Sequence, residues 1–222
     1  VSVTGITAIR SELKSALTAF APEQVLRISY FDGDSDYILG LVREAYYAAP
    51  AAALGMPKAE VHIYPESGRQ RIVEILLTYP LDISVLKQRQ DQLEQEAEEL
   101  SQPLSSLKGD TALLAAGKTV LNAGGYSPTG GNTAYDALLE GGANSEGLAL
   151  AMALLCQTMD LSCQVISGTL NGQSHFWNMV ESSAGRQYVD LTTFATSGQS
   201  LYTDEELSAL GYVWDNSTVS SN

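Results

Sequence analysis

The sequence predicts an α+β protein: a smaller N-terminal α/β module of order αβαββα, then a domain in which a central helix packs on an antiparallel sheet. Three observations predict it. Leu148 to Cys156 is apolar on every side, which is the pattern of a helix buried all round at the centre of a domain. Strand candidates at residues 164–170, 176–181 and 187–191 follow it in close succession, with turn chemistry between the last two. Upstream, Ser101-Gln102-Pro103 interrupts a long helical pattern and divides the chain into residues 1–103 and 104–222.

Bulk properties narrow the classes. An apolar fraction of 45% with 17% charged residues belongs to a globular chain that buries a core. The formal net charge of −14, with no Lys/Arg cluster, argues against nucleic acid and anionic membrane surfaces as partners. No apolar run approaches the roughly 20 residues of a membrane span, so membrane insertion is not expected. The chain begins at Val1 without a signal-peptide pattern, and removal of an N-terminal targeting segment is expected. Cys156 and Cys163 flank a helix-to-strand turn, where buried thiols are favoured slightly over a strained disulfide. With only two histidines beside them and no ligand spacing, no zinc site and no other cofactor is expected.

In chain order, residues 7–20 carry helical apolar spacing and stop at Ala21-Pro22; residues 24–31 read as a strand. The segment Asp32-Gly33-Asp34-Ser35-Asp36 opens like a calcium loop. Tyr37 and Arg43 stand where that loop needs Gly and Glu, so it reads as a solvated turn before a helix over residues 37–49. Residues 61–64 and 71–79 form a hairpin around Pro65-Glu66-Ser67-Gly68, and His62 on its first strand takes no assigned role. Residues 81–100 are helical, with Leu86, Leu93, Ala97 and Leu100 as the apolar stripe. Residues 111–122 give a further helix, 124–131 a glycine-rich loop, 135–139 a short helix and 204–210 the last helix before a polar tail. Asn216-Ser217-Thr218 fits a glycosylation sequon in a secretory context.

The candidate chemistry lies between Gly141 and Asp190. Asn144 is a good N-cap, which places Ser145 in the first turn of the buried helix. There the helix N–H groups stabilise an anion and supply an oxyanion hole. A base must then reach Ser145 and a carboxylate must orient the base. If Ser182 to Gly185 is an even-length turn, Trp177 pairs with Asp190 and His175 with Thr192. His175 and Asp190 are then diagonal neighbours on one face, whereas an odd-length turn separates them. Ala143-Asn144-Ser145-Glu146-Gly147 falls one residue short of the nucleophile elbow of α/β-hydrolases, and no histidine follows Asp190 as that fold requires. The order nucleophile, histidine, acid is that of papain-like enzymes.

From about Tyr135 to Thr192 the sequence resembles the transglutaminase-like superfamily. The matching motifs are Ser145-Glu146-Gly147-Leu148-Ala149, His175-Phe176-Trp177-Asn178 and Tyr188-Val189-Asp190-Leu191-Thr192, with Gly168 at a recurrent family glycine. The first 103 residues resemble, less specifically, N-terminal regions of bacterial secreted relatives. The resemblance implies a papain-like transglutaminase core, an extracytoplasmic location, secreted or cell-surface, and a protein or peptide ligand such as cell-wall peptide. It also implies amide cleavage or acyl transfer from glutamine to amines, by a cysteine where this chain has Ser145.

That departure separates the readings. A thiolate forms readily beside histidine at a helix start, whereas a serine hydroxyl must be deprotonated during attack. The first expectation is a catalytically degenerate binding or structural module. The alternatives are an active hydrolase or acyl transferase using Ser145 with His175 and Asp190, or a native cysteine replaced by serine. Trp177 is expected to be core lining the cleft and Asn178 to be structural.

Overall fold

The computed structural model describes residues 1–194, 196–197 and 199–215. The sequon at Asn216 lies outside the described residues. The chain divides into two compact units, Val1–Gln90 and Asp91–Asn222, with the division inside one helix.

The first unit begins with a two-residue strand, β1 (Ser2–Val3), which the sequence pattern did not single out. Then come α1 (Ile6–Thr18), β2 (Glu23–Ile28), α2 (Ser35–Tyr47), β3 (Lys58–Pro65) and β4 (Arg71–Thr78), and the unit ends inside α3 (Ile83–Ser101). The sheet order is β1-β2-β4-β3, with β1 parallel to β2 and the other pairs antiparallel. Leu26 and Ile28 of β2 and Val73, Ile75 and Leu77 of β4 alternate into the core. Helix α1 buries Ile9, Leu13, Ala16 and Leu17, the stripe that its periodicity marks. Asp34 accepts the Tyr37 N–H and caps α2, so the acidic loop serves as a helix start. No cluster of three or more metal-ligating side chains occurs among the described residues.

In the second unit, a 3-10 turn over Gln102–Leu104 follows α3 at the predicted break. The order continues α4 (Gly109–Ala123), β5 (Tyr126–Gly131), α5 (Ala134–Leu139), α6 (Ser145–Thr158), β6 (Cys163–Leu170), β7 (Gln173–Ser182), β8 (Gly185–Val189), α7 (Asp204–Ala209) and β9 (Tyr212–Trp214). The segment expected as a loop at 124–131 is therefore largely extended: Tyr126 and Gly131 each bridge Ala143, just ahead of α6. Helix α6 is buried continuously from Gly147 to Cys156 and packs against α4, α5, β6 and β7. The sheet is antiparallel with order β8-β7-β6-β9. This is the expected α+β arrangement of a central helix on an antiparallel sheet. Cys156 and Cys163 are free thiols. The neighbouring Cys156 thiol, with burial, pushes Cys163 well above the usual thiol range.

Strand β7 joins the two layers. Alternate residues face opposite ways, so Phe176, Asn178 and Val180 lie on one side, and His175, Trp177 and Met179 on the other. The Asn178 side chain, fully buried, donates to the Ala149 carbonyl of α6 at 2.8 Å. Trp177 and Met179 enter a cluster with Ile166, Tyr188, Tyr202, Leu207 and Tyr212. Asn178→Ala removes the side-chain link between sheet and helix. It is expected to cost about 1–3 kcal/mol, read from the midpoint of chemical unfolding. An unchanged midpoint would refute that role.

Candidate active site

The site begins with the turn that ends β7. Ser182 pairs with Gly185, and the register continues through Asn178 opposite Val189. The turn is therefore of even length, and the diagonal placement of His175 and Asp190 follows. His175 Nε2 lies 2.6 Å from Asp190 Oδ2. The His175 side chain is 12% exposed and that of Asp190 only 1%, so the imidazole is reachable while the carboxylate is sealed behind it.

Ser145 comes from the other layer. Asn144 Oδ1 accepts the N–H groups of Glu146 and Gly147, and the Asn144 carbonyl accepts that of Leu148. Among the described residues these bonds leave the Ser145 N–H as the remaining first-turn donor. Gly147 must be glycine here, because a Cβ would meet the Ala143 side chain at 2.6 Å and the Thr133 carbonyl at 2.8 Å. Ser145 Oγ accepts the Phe176 N–H at 3.3 Å, which fixes it one residue from His175 along β7. All three residues singled out from sequence thus converge at the junction of α6 and the sheet.

Two further residues belong to the constellation. Thr192 turns back on Asp190, donating its N–H at 2.8 Å and its hydroxyl at 2.7 Å to Oδ1. Tyr212, on β9, donates its hydroxyl to Asp190 Oδ2 at 2.6 Å. Burial would raise the Asp190 carboxyl, but His175, Tyr212 and Thr192 together outweigh it and hold the carboxyl below its ordinary range. Asp190 is accordingly a standing anion facing Nε2, and the Nδ1 of His175 is the nitrogen left for a reacting group. Thr192 ended the sequence motif without an assigned role, and Tyr212 sat in what read as a polar tail.

Aromatic packing sets the imidazole plane. The His175 ring stacks on Trp177 with centroids 6.1 Å apart and meets the edge of Tyr212 at 5.9 Å. Gly168 makes this possible. It lies opposite His175 on β6 and opposite Trp214 on β9. A Cβ there would come within 2.3 Å of the Val213 carbonyl and 2.6 Å of the Trp177 ring. The glycine singled out by motif is therefore the gap through which β9 approaches the site.

No family model and no curated protein matches the sequence. Among solved structures, similarity extends to one named "Crystal structure of a TGase", at 15% identity and a TM-score of 0.43, covering 86% of this chain and 57% of that one. It extends also to a "Putative Cysteine Protease" from Cytophaga hutchinsonii, at 14% identity and a TM-score of 0.40, covering 71% and 65%. A "Putative Protease" from Parabacteroides distasonis aligns at 13% identity and a TM-score of 0.35, covering 82% and 45%. The chain spans less than two thirds of the length of each of these proteins. Among the described residues no helix is long and apolar enough to cross a membrane.

Proposed function

We propose that the second unit carries an acyl-transfer centre of the transglutaminase-like, papain-like type, with Ser145 at the nucleophile position, His175 as base and Asp190 as orienter. The observation that carries this reading is the 2.6 Å His175–Asp190 pair on a carboxylate that is 1% exposed. Burying such an anion is costly and needs its partners in place. The substrate class is an amide of a protein or peptide, cell-wall peptide included, met outside the cytoplasm.

In the attack, the Ser145 hydroxyl adds to the substrate carbonyl as its proton passes to His175 Nδ1. The Ser145 N–H steadies the resulting oxyanion, and the imidazolium returns the proton to the amine as the C–N bond breaks, leaving the acyl group on Ser145. Water or an acceptor amine, deprotonated by His175, then attacks that ester, and the proton returns to the Ser145 oxygen as it leaves.

A second reading is favoured by one observation. The Ser145 hydroxyl accepts the Phe176 N–H and so has a structural partner of its own, apart from the imidazole. Under that reading the unit is a catalytically degenerate binding or structural module at the cell surface. A natural cysteine replaced by serine would leave the same geometry.

Exposure to a fluorophosphonate, followed by intact-mass analysis and peptide mapping, separates these readings. The proposal expects one adduct, on Ser145, that is absent from His175→Ala. Absence of any adduct from a folded protein would favour the degenerate module.

A further inference from the structure

We propose that Tyr212 is a positioning residue of this centre. Its hydroxyl, acting with Thr192, keeps the Asp190 carboxylate from turning away from His175, so that Oδ2 stays against the Nε2–H and Nδ1 is left bare. The inference rests on the acyl-transfer reading for its purpose but not for its measurement.

A carboxylate that oriented an imidazole through one bond alone could rotate and release it. Asp190 has no such freedom. Oδ1 is held by two donors from Thr192, and Oδ2 is shared between His175 and Tyr212, each at 2.6 Å. Tyr212 is itself fixed. It is 5% exposed and its ring packs edge-on against Trp177, with centroids 5.1 Å apart. Its strand pairs with β6 across Gly168. Burial, then the Asp190 charge, push the Tyr212 hydroxyl well above the usual phenol range, so it stays protonated and donating. The C-terminal strand therefore reaches the centre through one hydroxyl and holds the histidine through the aspartate.

The chain has two histidines, so 15N spectra of the imidazoles are readily assigned by adding His62→Gln. Recorded at a pH that leaves the imidazole neutral, the spectra of the wild-type chain should show His175 as a single Nε2–H tautomer. Tyr212→Phe keeps the ring and loses the hydroxyl. It should give a mixture of tautomers and, where fluorophosphonate labels Ser145, label about tenfold more slowly, the scale of one hydrogen bond held in the reacting geometry. Tyr188→Phe, the loss of another buried tyrosine hydroxyl, should leave both readouts unchanged. A single tautomer retained in Tyr212→Phe would overturn the proposal, as would equal mixing in Tyr188→Phe. Failure of the wild-type chain to label overturns the acyl-transfer reading alone, because the tautomer still reports on Tyr212.

Discussion

Ser145→Cys is expected to give a thiol that iodoacetamide alkylates at pH 6 on the order of 10- to 100-fold faster than an ordinary cysteine, and His175→Ala to remove most of that advantage, leaving only the share of the helix start. A free cysteine titrates near about 8.5, but beside histidine at a helix start it falls to roughly 3.5–7.5, so its thiolate fraction at pH 6 rises steeply. Part of that gain is lost because a less basic thiolate is also a weaker nucleophile. Both contributors are in place. Position 145 opens a helix whose cap is complete, and His175 follows one residue before the N–H that already holds the side chain. The existing thiols serve as internal controls: Cys156 is 0% exposed, and Cys163 is pushed away from the reactive range. Peptide mapping assigns the label. If the introduced thiol reacts like a small-molecule one, the imidazole does not serve this position, and the result counts against the acyl-transfer reading.

The parts of this site legible in the sequence were those written in local patterns. An all-apolar run following an Asn cap placed Ser145 at the start of a buried helix. The period of two in strands, with the length of one turn, placed His175 and Asp190 on the same face. Other parts depend on pairings that no local pattern encodes. Strand β9 has three residues, too few for a periodic signal, and its partner β6 lies more than forty residues upstream in sequence. Tyr212 was thus hidden, although Gly168 hinted that a backbone must pass close to that point of the sheet. Thr192 was visible in the motif, but its role depends on the chain turning back at Asp190. Likewise, Tyr126–Gly131 holds enough glycine to read as a loop, yet it is drawn extended by its bridges to Ala143.

Asp190→Asn should be more damaging than its near-identical shape suggests, and Thr192 is the reason. An asparagine can replace a triad aspartate harmlessly only if its carbonyl faces the imidazole. Here Oδ1 receives two donors, the N–H and hydroxyl of Thr192. The amide carbonyl satisfies them best and so settles at that position. The amide NH2 then occupies the place of Oδ2, directed at His175 Nε2 and the Tyr212 hydroxyl. A donor facing Nε2 selects the opposite tautomer, with the proton on Nδ1, where it cannot accept from Ser145. Fluorophosphonate labelling is expected to fall by roughly 10⁴-fold, the size of a wrong-tautomer defect in a serine centre. In the Ser145→Cys background the same change places a donor against the imidazolium, so the enhanced alkylation should disappear at pH 6. The 15N spectrum should meanwhile report His175 as the Nδ1–H form. Retention of the Nε2–H form in Asp190→Asn, with labelling within about threefold of the parent, would show that Thr192 does not dictate the amide orientation.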